Sequence, residues 1–97
     1  MAKAYWVVNY RSIKKHEALA AYGKLAAPAI QAAGGRFIIR GAPAKTYEAG
    51  VNQRVVVIEF DSLAQATAAY ESADYQAALK VLGDGAERDI RIVEGGG

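Results

Sequence analysis

A chain of 97 residues with 12 basic and 10 acidic side chains, one His and no Cys is the size of a single domain, residues 1–97, whose folding buries somewhat over ~60% of the surface exposed by the unfolded chain. The missing Cys excludes a disulfide scaffold, a thiol nucleophile and Cys-based metal or iron–sulfur sites, and one His excludes a multi-His metal centre within one chain, so neither metal nor cofactor is expected. A formal charge of +2 is a small surplus rather than a basic patch, and charge alone demands no nucleic acid.

Residues 3–10 (KAYWVVNY) combine aromatic and β-branched side chains with no turn former before Asn9 and read as a strand. Residues 1–10 lack the apolar stretch and cleavage site of a signal peptide, and no apolar run approaches the ~18 residues of a membrane span, so a cytoplasmic protein without a membrane partner is expected. From about residue 14 to 33, Leu19, Tyr22, Ala26, Ile30 and Ala33 recur at helical spacing. Pro28 removes one donor, which predicts a kink or a short second segment, and Gly34-Gly35 supplies the left-handed residue that ends a helix.

A second strand is expected over residues 36–40 (RFIIR), ended by Gly41-Ala42-Pro43, and residues 45–48 read as a short edge strand or an ordered loop. Residues 53–60 (QRVVVIEF) carry the strongest strand signal and should be central. Ser62-Leu63-Ala64-Gln65 fits a capping box opening a helix to about Tyr70, Ser72 can cap another over residues 73–82, and Gly83 closes it. Residues 88–94 (RDIRIVE) alternate as a last strand before a Gly tail, residues 95–97. The order β-α-β-β-α-β is the ferredoxin-like arrangement: α+β, with a four-stranded antiparallel sheet and its helices on one face.

Alternation divides the strands into two faces. One gathers Ala4, Trp6, Val8, Phe37, Ile39, Val56, Ile58, Phe60, Ile90 and Ile92 without a charge, and is expected under the helices. The other gathers Tyr5, Val7, Asn9, Ile38, Arg40, Val55, Val57, Glu59, Arg91 and Val93 and is mostly apolar at its centre. Left open, it would expose several hundred Å² of contiguous apolar surface, more than soluble monomers usually carry. The hydrophobic fraction of 53%, above the usual ~45 to 50%, needs such a partner. Covering ~400 Å² per chain with a second copy offers on the order of 10 kcal/mol of gross stabilisation per chain, part of which association consumes. A sheet-to-sheet homodimer is therefore expected, with Glu59 paired to Arg40 or Arg91 in or beside the interface.

The set Ala27-Pro28 with Ile30, Gly34-Gly35-Arg36-Phe37, Arg40-Gly41, Arg54 to Phe60 and Tyr70-x-Ser72-x-x-Tyr75-Gln76 resembles the domain-of-unknown-function family 1330. The likeness runs from about Ala4 to Gly95, and GGRF, VVVIEF and YESADYQ together carry it. It implies the dimeric α+β barrel superfamily, in which two ferredoxin-like sheets face each other and whose relatives include cofactor-independent monooxygenases and muconolactone isomerase-like enzymes; fold alone does not transfer such a function. Where the family often opens its first helix with Asp-Pro, this chain has Lys15-His16, and Ser12 is the alternative cap.

The candidate chemistry is sparse. His16 is the one side chain whose unperturbed pKa lies near neutrality, and is otherwise a solvated helix-end residue. Glu59, inside an apolar strand, is a candidate general acid or base if burial raises its pKa, or else an interface ion pair. Asn9 beside it is an amide partner or a β-bulge residue. Tyr22, Tyr70 and Tyr75 with Trp6 either line a pocket for a flat aromatic or lipid-like ligand or fill the core with their hydroxyls at its rim. Oxygenation or isomerisation without a cofactor needs an acid/base in a tight apolar enclosure, which makes Tyr70, Tyr75, His16 and Glu59 the catalytic candidates, and Trp6, Tyr22, Asn9 and Arg40 the ligand contacts. The glycines match no phosphate-binding motif. Two other classes remain: a non-catalytic metabolite-binding dimer, and an RNA-recognition module, against which stand the absent aromatic signature and Glu59.

Overall fold

The computed structural model describes residues 2–96; Met1 and Gly97, the last residue of the expected tail, lie outside the described residues. The elements run β1 (Ala4–Ile13), α1 (His16–Ala32), β2 (Arg36–Gly41), β3 (Val55–Phe60), α2 (Leu63–Glu71), α3 (Ala73–Leu82) and β4 (Ala86–Glu94). Because β1 bonds to both β3 and β4, the sheet order is β2-β3-β1-β4, antiparallel throughout. This is the ferredoxin-like α+β fold. Its short axis of 16 Å leaves room for one helical layer on one side of the sheet. The helices cover the expected face: Ala4, Trp6, Val8, Val56, Ile58 and Phe60 are buried, while the alternate Tyr5, Val7, Val57 and Glu59 are only half-buried.

Trp6 anchors this core, edge-on to Tyr75 with ring centroids 5.0 Å apart and 5.4 Å from Phe60. Its indole N–H donates to the Ala66 carbonyl at 2.8 Å, so the polar end of the largest buried side chain is satisfied. α1 ends as the sequence predicts. Gly34 takes φ 96° and its N–H donates to the Gln31 carbonyl, and Gly35 N–H donates to that of Ile30 at 2.9 Å, a Schellman closure. Gly35 is also required for space. A Cβ there would lie 2.5 Å from Ile30 Cγ2 and 3.0 Å from Ile58 Cγ2, an overpacked contact worth about 1–3 kcal/mol. Gly35→Ala is expected to lower the calorimetric midpoint by roughly 5–15 °C.

Ser62 Oγ accepts the Gln65 N–H and Ser72 Oγ accepts that of Tyr75, so both predicted caps are in place. Other local expectations shift. Pro28 does not split α1, which continues through it to Ala32; the carbonyl it leaves unpaired, that of Lys24, lies where both residues are exposed to solvent. Ser12 is no helix cap, because β1 continues to Ile13, pairing Ser12 with Glu87 and Ile13 with Ala86 beyond an irregularity after Tyr10. Lys15 holds the N-cap position without a side-chain bond to the helix backbone. The Lys14 and Lys15 amides instead donate to the Gly85 carbonyl at 2.7 and 2.9 Å. Asn9 pairs regularly with Val55 and Asp89 and is not a bulge residue. Residues 45–48 take the loop form of the two expected for them, and the Gly95 N–H donates to the Lys3 carbonyl at 2.7 Å.

The largest departure is in β2. Phe37 pairs with Ile58, but Ile39 pairs with Val57 and Arg40 with Val56, so Ile38 and Ile39 together oppose one residue in a β-bulge. Ile39 therefore turns to the open face and Arg40 to the helical side, the reverse of the alternation expected for both.

Candidate functional site

The register lays out the helical side of the sheet in rows. Phe37, Ile58, Trp6 and Ile92 form one; Arg40, Val56, Val8 and Ile90 the next; and Arg54, Tyr10 and Arg88 the last, with Tyr10 N–H bonded to the Arg54 carbonyl at 3.0 Å. The floor thus changes from apolar to cationic towards one end. α1 crosses above it with Leu19, Tyr22, Gly23, Ala26 and Ile30 facing down, and between them lies a cavity of about 330 Å³, near the low end of the roughly 300–1,000 Å³ of small-molecule sites. His16, at the start of α1, reaches its wall.

The polar centre of the wall is a hydroxyl pair. Tyr22 Oη lies 2.6 Å from Tyr75 Oη, and Arg88 Nη1 donates to Tyr22 Oη at 3.0 Å. Tyr75 is 1% exposed, and among the described residues its hydroxyl has no partner but Tyr22. An orphaned donor there would cost about 1–3 kcal/mol, so Tyr75 donates to Tyr22. Tyr22 Oη accepts twice, and its own proton is left for the cavity. Burial pushes the Tyr75 phenol far above the usual tyrosine range, with the Tyr22 phenol adding to it; Tyr75 stays protonated and serves as a donor. Burial opposes the Arg88 charge, but the surrounding phenols of Tyr22, Tyr75 and Tyr10 outweigh it and raise its pKa further. Its guanidinium carbon sits 4.9 Å from the Tyr22 ring centre and 5.7 Å from that of Tyr10, and Arg40 lies 4.2 Å from that of Phe37.

Of the residues singled out in the sequence, the structure brings Trp6, His16, Tyr22 and Arg40 to the cavity wall, with Tyr75 directly behind. Tyr70 stands apart, packed 5.7 Å from Trp6 and 5.2 Å from Tyr75 and facing a shallower depression beside β4. Glu59 and Asn9 lie on the opposite side of the sheet. Within the chain Glu59 pairs with neither Arg40 nor Arg91: Arg36 Nε donates to it at 3.0 Å, Tyr5 Oη at 3.2 Å, and Lys3 Nζ is 3.7 Å away, because Arg36 is its direct cross-strand neighbour. Arg91 is held by Asp89.

The Arg36 guanidinium holds the Glu59 carboxyl below the usual range, against partial burial, where burial alone would have raised it. Arg91 does the same for Asp89 and Lys15 for Asp84. Carboxyls lowered by folding stabilise above their unfolded pKa values and lose that contribution as pH falls through the folded ones. Stability is expected to be level above about pH 5 and to decline below about pH 4, with a shallower decline in Glu59→Gln, as followed by denaturant midpoints against pH.

Arg54, Arg88 and Tyr10 are the site residues that the sequence reading missed. Their signal was present: the alternation of Val56 and Ile58 carried back two residues reaches Arg54, and that of Ile90 and Ile92 reaches Arg88.

Comparison with curated protein sequences returns no significant match. Among solved structures, the chain resembles the RPA0582 protein of unknown function from Rhodopseudomonas palustris, with a TM-score of 0.73 and 17% identity over 99% of this chain and 84% of that one. It also resembles a protein of Nitrosomonas europaea provisionally assigned as an antibiotic biosynthesis monooxygenase, at 0.63 and 17% over 96% and 89%. A dimeric ferredoxin-like protein of unknown function from Thermobifida fusca matches at 0.64 and 19% over 96% and 91%. At such identities these likenesses establish the fold alone. The Domain of unknown function (DUF1330) family matches residues 3–96, nearly the whole chain, and the protein is therefore a member of that family.

Proposed function

We propose that the cavity under α1 is where this protein binds a small organic molecule and acts on it without a cofactor, as a cytosolic homodimer. The observation carrying this reading is the Tyr22 hydroxyl, 2.6 Å from that of Tyr75 and 3.0 Å from Arg88 Nη1, where the cavity wall passes from apolar to cationic. An oxygen that accepts two donors polarises its own O–H, making it a stronger donor to a ligand oxygen. Tyr22 is the proton donor in this scheme, Tyr75 a positioning residue, and His16 at the mouth the second proton carrier. Glu59 and Asn9 belong to the other face of the sheet, and Tyr70 to the aromatic stack.

That other face supports the dimer. Its middle row is Ile39, Val57, Val7 and Arg91, and Ile38, Ile39 and Val93 are about half exposed. Ion pairs flank it: Lys3, Arg36, Glu59 and Asp61 at one end, Arg11, Asp89 and Arg91 at the other. The Thermobifida fusca protein of this fold is described as dimeric. Glu59 and Asp89 would repel a nucleic-acid backbone laid on this face, and among the described residues no helix is long and apolar enough to cross a membrane.

Mass spectrometry of material extracted from the purified protein identifies the ligand, and its fate on incubation separates the two remaining readings. Conversion that falls about 10²–10⁴-fold in Tyr22→Phe, with binding little changed, supports catalysis. Conversion at the same rate in Tyr22→Phe removes the chemistry from this wall, and recovery of the ligand unaltered leaves a metabolite-binding dimer.

A further inference from the structure

We propose that the ligand of this cavity is an organic anion, a carboxylate carried on a flat apolar body, held by the guanidiniums of Arg40, Arg54 and Arg88. The inference rests on the reading of the cavity as the ligand site and adds the class of molecule.

The chain has six arginines, and they divide sharply. Arg11, Arg36 and Arg91 lie on the open side of the sheet or its rim, each against an aspartate or glutamate. Arg40, Arg54 and Arg88 line the cavity, and among the described residues none of the three is in an ion pair and no carboxylate lines the cavity with them. With 10 acidic side chains available, that separation does not follow from composition. Cations gathered at an apolar enclosure repel one another and are costly to desolvate. An anion between them removes both penalties, and the planar guanidinium fork matches the two oxygens of a carboxylate. Arg40 against Phe37 and Arg88 against Tyr22 and Tyr10 are already stacked, so two of the three lose little freedom on binding. The opposite end of the cavity is lined by Trp6, Ile30, Phe37 and Ile58, which suits a flat hydrocarbon and offers nothing to inorganic phosphate. The Tyr22 proton, beside Arg88, reaches the same anion or the carbonyl attached to it.

The test uses a matched pair of probes, 2-naphthoate and 2-naphthamide, nearly equal in shape and differing in charge, with inorganic phosphate as the apolar-free control. Trp6 is the only tryptophan and stands in the cavity wall, so its fluorescence reports occupancy, and calorimetry supplies the affinity. Naphthoate is expected to bind at least tenfold more tightly than naphthamide. In Arg40→Gln/Arg54→Gln the ratio should fall to within twofold while naphthamide binding persists, which also shows that the variant is folded; in Arg11→Gln it should be unchanged. Equal binding of the two probes to the unaltered protein overturns the anion assignment and leaves the cavity as a ligand site. Binding of neither removes both. Displacement of naphthoate by an equal concentration of phosphate overturns the carboxylate-on-apolar-body class.

Discussion

Gly23→Leu is expected to abolish ligand uptake, with an affinity loss of at least a hundredfold, in a protein that melts no lower than the parent. Glycine inside a helix costs about 1 kcal/mol relative to alanine, and Gly23 stands in the middle of α1. A side chain there has room. A Cβ built on Gly23 meets nothing within 4 Å, because it opens on the cavity roofed by Leu19, Ala26 and Ile30. The leucine would fill ligand space with its own apolar surface and improve helix propensity together, worth a rise of about 4–8 °C per kcal/mol. Titration calorimetry with 2-naphthoate and scanning calorimetry on the same preparation read the two effects. Undiminished affinity would move the site elsewhere; a lower midpoint would mean that the space under α1 is already filled by packed side chains.

Val57→Lys is expected to break the proposed sheet-to-sheet dimer. Val57 is the centre of the open face, with Val7 opposite on one side and Ile39 on the other. Around a twofold axis one substitution is made twice, and a central contact worth about 2 kcal/mol then amounts to ~4 kcal/mol, or roughly a thousandfold in dissociation constant. Sedimentation velocity at low micromolar concentration should give a single dimeric boundary for the parent and a shift to slower species for the variant. Folded parent protomers sedimenting singly at that concentration would remove the interface.

How far the sequence carried depended on whether a feature is local. Six of the seven elements lie within about two residues of expectation at each end, since their signals are short-range: β-branched runs in β3, the paired glycines after α1, and serines at the two later helix starts. β1 alone outran its reading by three residues, because its extension is fixed by partners in β4 rather than by its own composition. The site was half legible. Trp6, Tyr22 and Tyr75 announce themselves as aromatics on inward positions, but Arg54 and Arg88 lie in the first two residues of the expected strands, to which the alternation was not continued. Arg40 was read onto the wrong side for another reason: a bulge is a property of two paired strands and leaves no mark in RFIIR. For Glu59, naming Arg36 as partner needed the cross-strand register, which no composition supplies.

The bulge at Ile38 and Ile39 has a consequence for how this family can vary. It works as a phase shifter: upstream of it β2 keeps time with β3, and downstream the strand is half a period late. Removing one of the two isoleucines would restore the beat and leave Arg40 opposite Val56 on the helical side, whereas straightening the strand at its present length would slide Arg40 opposite Val55 and out to the open face. Relatives one residue shorter at this point should therefore keep their cation over the cavity on an unbulged strand, and relatives of this length without the bulge should carry it on the open face.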